Sequence, residues 1–234
     1  MTKLHYGNWT YIPDNILNSN SIVYSFGSGE DISFEYILQG KYNCHVHLFD
    51  PTPRAIEHFN LCKKVYISEK NMDPNKKFGG GDINYFKRIL NSDCNIQNLY
   101  FHPYGIYNKN DKIKFYYPKN NEHVSLSIDN LQKTKDSIYL DVRSMDSIIE
   151  ELGHMDIDLM KLNIEGAEVE SLIYMLKNTK IRPKYISVKM ELMRDKPSKE
   201  NKKLQDELDN LLKLEYKIIF ENKKKYNYTF ALKL

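Results

Sequence analysis

The sequence predicts an α/β fold built on a largely parallel sheet covered on both faces. Three observations predict it. Short β-rich apolar runs alternate with longer amphipathic stretches along most of the chain. The first run, Ile22 to Phe26, stops abruptly at Gly27-Ser28-Gly29 and passes through Glu30 and Asp31 into an apolar helical stretch, the opening of a βα unit. Near the end, Tyr216–Phe220 and Tyr228–Leu232 bracket Asn222-Lys223-Lys224-Lys225, which predicts a closing hairpin that adds antiparallel edge strands.

Taken in order, residues 1–20 are polar and turn-rich around Pro13-Asp14-Asn15 and read as an N-terminal arm, leaving 21–234 as a single domain. Cys44 to Phe49 is the next strand. It ends at Asp50-Pro51-Thr52-Pro53, where the prolines forbid strand continuation and start a helix over about Pro53 to Cys62. Residues 63–97 are the least regular; Asp82, after three glycines, is the expected N-cap of Ile83–Leu90. Leu99 to His102 reads as a strand, Lys112 to Tyr117 as a hairpin arm, 118–137 as a loop, and Ile138–Val142 as a strand. Ser144–Leu152 is a helix ended by Gly153. The most apolar strand, Leu159 to Ile164, leads through Glu165-Gly166-Ala167-Glu168 into a helix that reaches Leu176. Tyr185–Met190 is β-rich, and Asn201–Leu214 carries the stripe Leu204, Leu208, Leu211 and Leu212 of an amphipathic helix.

Composition excludes several classes. With 234 residues, 41% hydrophobic and 28% charged, the chain is neither disordered nor low-complexity. A net charge of +3 is too small to argue for nucleic acid as partner. Cys44, Cys62 and Cys94 form no CxxC pair and are odd in number, which fits a reducing compartment. The opening Met1 to Trp9 lacks the apolar core of a secretory leader, and no window approaches a membrane span, so a cytoplasmic location is expected.

The chemistry-bearing residues begin with Phe26-Gly27-Ser28-Gly29-Glu30-Asp31. Glycines between a strand and a helix let a ligand approach the backbone with no Cβ in the way; the bland alternative is an ordinary tight turn. Asp50 ends the next strand, about 20 residues beyond that turn, where a carboxylate binds a ribose diol. The alternative there is a cap on the helix that follows Pro51. Together the two point to a nucleoside-containing cofactor. A dinucleotide wants a third glycine where this chain has Ile32, and Glu30 and Asp31 at the helix start would repel a pyrophosphate. Two acids suit a ligand carrying an amine and a sulfonium, which favours S-adenosylmethionine over NAD or FAD. Asn163, Glu165 and Glu168 stand at the tip of the apolar strand, at the crevice or its rim, although Glu165 and Glu168 also read simply as first-turn acids of a helix.

These residues carry a family resemblance. The chain resembles the FkbM-type S-adenosylmethionine-dependent methyltransferases through Val23–Phe34, His47-Leu48-Phe49-Asp50-Pro51-Thr52-Pro53, Phe101-His102-Pro103-Tyr104-Gly105, Glu122–Ile128, Asp158–Glu168 and the closing Tyr228-Thr229-Phe230. The resemblance implies a class I, Rossmann-like methyltransferase fold: a seven-stranded, mostly parallel sheet with helices on both faces and the last strand antiparallel. It implies that Gly27 and Gly29 line the methionine part of the cofactor, with Phe26, Ser28, Asp31 and Pro51 in the same site. Asp50 would hold the ribose hydroxyls, and Asn163 and Glu165 would lie near the reactive end. The implied reaction is O-methylation of a sugar or related small hydroxylated acceptor.

Two positions matter. Ser25 stands where class I enzymes commonly have an acid, although the FkbM branch that this sequence resembles tolerates serine, and Asn163 stands where the family usually has Asp. An amide is no general base and no anionic metal ligand. The candidates for the catalytic role are therefore Glu165, Glu168, His102 and His123. His102 also reads as a structural histidine before Pro103, and His123 as a surface turn; His45 and His47 read as sheet surface under a helix. No cluster has convincing metal-ligand spacing, and only Glu165 with Glu168 would hold a divalent ion if one assists. Asn163 motivates a second reading, a catalytically silent S-adenosylmethionine-binding module. A nucleotide-dependent oxidoreductase is disfavoured by the missing glycine.

Overall fold

The computed structural model describes residues 3–6, 10–13, 16–69, 83–120, 126–130, 133–191 and 198–233. A two-stranded antiparallel hairpin, β1 (Lys3–Tyr6) and β2 (Thr10–Pro13), precedes the main body. The chain then runs β3 (Ile22–Phe26), α1 (Ser33–Tyr42), β4 (His45–Phe49), α2 (Pro53–Glu69), α3 (Ile83–Leu90), β5 (Leu99–His102), β6 (Gly105–Ile106), β7 (Asp111–Tyr116) and β8 (Ser137–Arg143). It continues α4 (Met145–Leu152), β9 (Leu159–Leu162), α5 (Glu168–Asn178), β10 (Tyr185–Lys189), α6 (Lys199–Glu215), β11 (Tyr216–Asn222) and β12 (Asn227–Leu232).

The main sheet has seven strands in the order β11-β12-β10-β9-β3-β4-β5. Strands β10, β9, β3, β4 and β5 pair in parallel, and β12 is antiparallel to both of its neighbours. This is the expected class I architecture, with one correction. The closing hairpin does not simply add edge strands: β12 inserts between β10 and β11, so only β11 lies at the edge. Phe230 and Ala231 of β12 are accordingly buried, whereas Ile218 of β11 is exposed.

Strand β3 is the pivot. The chain winds outward from it to β4 and β5 on one side, and returns to β9 on the other. A crevice at the C-terminal ends of the strands is expected where the winding reverses. The registers make three strand ends level there: Phe26 is paired with both Phe49 and Leu162.

Side-chain alternation splits the core into two layers. Tyr24, Phe26, Phe49, Met160 and Leu162 pack with α4, α5 and α6 on one face. Val23, Val46, Leu48 and Leu159 pack with α1, α2 and α3 on the other. Helix ends follow the local chemistry. Gly153 closes α4 in the left-handed region (φ 68) with its N–H on the Ile149 carbonyl, and Ser198 Oγ accepts the Asn201 N–H at the start of α6.

Strand β7 is the expected hairpin arm, antiparallel to the expected strand β8. Strands β6, β8 and β7 form a separate three-stranded sheet instead of extending the main one. Helix α2 also runs past Cys62 to Glu69. Asp82, the expected cap of α3, lies outside the described residues.

Candidate active site

The glycine turn after β3 is forced by its surroundings. Gly27 has φ +76, and a Cβ there would lie 1.9 Å from the Asn163 carbonyl oxygen. Its N–H donates to the Phe49 carbonyl (2.9 Å), and the Asn163 N–H donates to the Phe26 carbonyl (3.0 Å). The turns after β3, β4 and β9 are thereby stitched together above the ends of the sheet, with backbones closer than any side chain would permit.

Asp50, 5% exposed, takes the helix-capping role that the sequence offered as the alternative. Its Oδ1 accepts the Thr52 N–H (2.9 Å) and hydroxyl (2.6 Å), organising the entry to α2, while Oδ2 accepts the Gly29 N–H (2.9 Å). Burial pushes its carboxyl above the ordinary range, opposed by these hydrogen bonds. At the start of α1, Asp31 Oδ1 accepts the Ser33 N–H (3.1 Å) and hydroxyl (2.6 Å), and Tyr85 OH accepts the Ile32 N–H (3.2 Å). The Gly29, Ile32 and Ser33 N–H groups, among those on which a pyrophosphate would rest, are thus taken by the chain itself.

After β9 the backbone turns sharply, with Glu165 at φ 53 and Gly166 at φ 113. Glu168 holds this turn. Its two carboxylate oxygens accept the Ile164 and Gly166 N–H groups, each at 2.9 Å. Glu168 is fully buried, and burial pushes its carboxyl up to about 7.

These turns enclose a cavity of about 600 Å³. Gly27, Ser28, Gly29, Asp31, Asp50, Pro51, Asn163 and Glu165 line it, and Gly105, Ile106, Phe115 and Leu126 close it from the side of the second sheet. Ser28 Oγ and Asn163 Oδ1 are buried there without a hydrogen-bond partner among the described residues, as polar atoms awaiting a ligand would be.

The family model of the methyltransferase FkbM domain matches residues 22–218. The chain belongs to the FkbM methyltransferase family. Among solved structures, a Methanococcus jannaschii fibrillarin pre-rRNA processing protein is similar at 9% identity, over 92% of this chain and 67% of that one, with a TM-score of 0.41. No curated protein matches the chain.

Three expected site residues of this FkbM domain sit elsewhere. Phe26 is wholly buried and stacks on Phe49 (centroids 4.5 Å apart) in the core face of the sheet. Glu168 spends its carboxylate on the turn instead of presenting it to the cavity. His102 stacks on Phe49 (4.6 Å), and its Nε2 lies 3.0 Å from His47 Nδ1, within a layer that includes His154 and Tyr24. His47, expected on the sheet under a helix, is buried in that layer. Burial, reinforced by neighbouring histidines, pushes His47 down to about 3 and His102 to about 4, so both rings are neutral. His123 lies outside the described residues. Among the described residues, no three His, Cys, Asp or Glu side chains come together as a metal site, and no helix is long and apolar enough to cross a membrane.

One feature of the cavity wall goes beyond those candidates. Lys161 lines the cavity and donates to Glu35 Oε1 (2.7 Å) and Ser25 Oγ (3.4 Å); Ser25 in turn donates to Glu35 Oε1 (2.5 Å). The available signal was a lone charge in an otherwise apolar strand whose four residues are all buried.

Proposed function

We propose that this FkbM domain is an S-adenosylmethionine-dependent O-methyltransferase acting on a small hydroxylated acceptor, a saccharide or a close relative. The observation that carries the reading is the set of turns around one cavity: the Gly27–Gly29 backbone, the Asp50 carboxylate, and the unpartnered Ser28 Oγ and Asn163 Oδ1. Asp50 would accept the ribose hydroxyls. The Gly27–Gly29 turn would let the amino-acid end approach the backbone, and Ser28 and Asn163 would complete their hydrogen bonds on the ligand. When bound, S-adenosylmethionine supplies an electrophilic methyl group on its sulfonium.

For the acceptor, the chain's contribution is alignment plus a base, the latter worth about 10²–10⁴-fold. Glu165 would take the hydroxyl proton, because it lines the cavity at the tip of β9 while Glu168 is committed to the turn. The second sheet, through Ile106, Phe115 and nearby Leu126, would shape the acceptor side.

The test is a thermal-shift titration with S-adenosylmethionine, S-adenosylhomocysteine and NAD in parallel. A ligand at 100 times its Kd stabilises by about 2.7 kcal/mol. Stabilisation by the two sulfur nucleosides alone supports the reading; none by either overturns it. The Asn163 amide, set in the cavity where it cannot take a proton, favours a second reading as a silent cofactor-binding module. Cofactor binding without methyl transfer to any of a panel of sugars and nucleotide sugars would select it.

A further inference from the structure

The buried charges beneath the glycine turn call for a reason. Lys161 is 6% exposed and Glu35 is fully buried. A buried ion pair contributes little net stability over apolar side chains of the same size, because desolvation offsets the attraction. Nothing in the packing of β9 against β3 demands one: the neighbouring positions Leu159, Met160 and Leu162 are apolar. What distinguishes this pair is its placement, with one end at the cavity wall and the other beneath helix α1.

An ammonium carries three N–H donors. Glu35 Oε1 and Ser25 Oγ account for two of them, and the ammonium also lies 5.3 Å from the centroid of the Phe34 ring, which lines the same cavity. Glu35 also fixes the lysine stem, so the cation is desolvated and aimed before a ligand arrives, which strengthens its pull on an anion. The same wall carries Ser28 Oγ, buried and unpartnered, and the carboxylate of Asp31. A wall bearing a cation, a hydroxyl and an acid is complementary to a zwitterion.

We propose that Lys161 binds the carboxylate of the cofactor's amino-acid end, and that Glu35 and Ser25 hold it in position for that contact. Asp31 takes the ammonium of the same end. Glu35 also supplies, from helix α1, the acid that position 25 lacks. The inference rests on the cofactor reading above and deepens it.

The experiment is isothermal titration of the full chain with two probes, S-adenosylhomocysteine and 5′-methylthioadenosine. The second keeps the nucleoside and the thioether but has no amino-acid group. The wild-type chain binds the first at least tenfold more tightly. The double variant Lys161→Met with Glu35→Gln, which leaves no unpaired charge, loses tenfold or more for S-adenosylhomocysteine and less than threefold for 5′-methylthioadenosine. Glu35→Gln alone keeps the cation but loosens its hold, so S-adenosylhomocysteine loses affinity by a smaller factor than in the double variant while 5′-methylthioadenosine stays within threefold; a merely structural pair would weaken both probes together. Equal losses for both probes, or an unchanged preference in the double variant, overturn the inference. A wild-type chain that binds both probes equally overturns it while leaving the cofactor reading intact. One that binds neither overturns the cofactor reading itself.

Discussion

Removing the Asp50 carboxylate separates two effects whose sizes follow from its contacts. Within the chain, Asp50→Ala deletes three hydrogen bonds, to Gly29 N–H, Thr52 N–H and Thr52 hydroxyl. These bonds end on a charged acceptor, at about 1.5–3 kcal/mol each, but water and local relaxation replace much of them in the variant, which therefore loses about 2–3 kcal/mol of stability. For a domain of this size that lowers Tm by about 4–12 °C. Toward the ligand, the same change deletes two hydrogen bonds from a ribose diol to a charged acceptor, each worth about 1.5–3 kcal/mol. Since about 1.4 kcal/mol is tenfold in affinity, S-adenosylhomocysteine should bind about 10²–10⁴-fold more weakly. Asp50→Asn keeps the Oδ1 contacts to Thr52 but turns a donor toward the Gly29 N–H, so it should fall between the two. The assay is calorimetric titration at a temperature where both variants are folded, beside melts without ligand. A Kd within threefold of wild type for Asp50→Ala, alongside the expected loss of Tm, would refute the ribose assignment and leave Asp50 only its turn-forming role.

Gly27→Ala should abolish soluble folded protein, because its Cβ would overlap the Asn163 carbonyl, whereas Gly29→Ala, at φ +55 with open space around the new methyl, should fold at a cost of about 1–2 kcal/mol; expression and urea melts of both check this. Glu168→Gln sets an amide donor against one of two backbone N–H groups and should cost about 1–3 kcal/mol, read by the same melts. Glu165→Gln should lower kcat by about 10²–10⁴-fold while leaving S-adenosylhomocysteine affinity within threefold, and full turnover would remove Glu165 from the mechanism. His47 is held neutral down to about pH 3 in the folded chain but takes a proton near pH 6.5 when unfolded, so the unfolded state binds more protons across that window. Stability should therefore be intact above pH 6.5 and fall on acidification by up to about 1.4 kcal/mol per pH unit for this ring; His47→Phe should flatten the slope in urea titrations at pH 7.5 and 5.5, and an unchanged slope would refute it.

Much of this site was legible without coordinates, because its chemistry sits at strand–helix junctions. There the backbone makes local demands that residue types announce. Only glycine suits the close approach at position 27, and a carboxylate two residues before Thr52 organises the turn into α2 whatever else it binds. Ile32 in place of a third glycine, with Asp31 beside it, already spoke against a pyrophosphate; the hydrogen bonds from Ile32 and Ser33 show why. The alternation of apolar runs and helices was enough to anticipate a largely parallel, wound sheet; which strands lie side by side came from the structure.

What the sequence by itself determined, then, was the alternation of elements, the glycine turn, the acid at the tip of β4 and the polar tip of β9. Each depends on residues within a few positions of one another. The tertiary structure alone decided which side chains reach the cavity. Glu165 and Glu168 stand three positions apart and look alike in the sequence, yet a left-handed residue at 165 sends one to the cavity wall and the other under the turn. His102 was turned away because the pleat of β5 directs it onto Phe49 and His47. Lys161 and Glu35, 126 positions apart, meet only because β9 lies beside β3 and α1 packs against the same face of the sheet. Burial and long-range pairing are properties of the packed whole, and no local pattern encodes them.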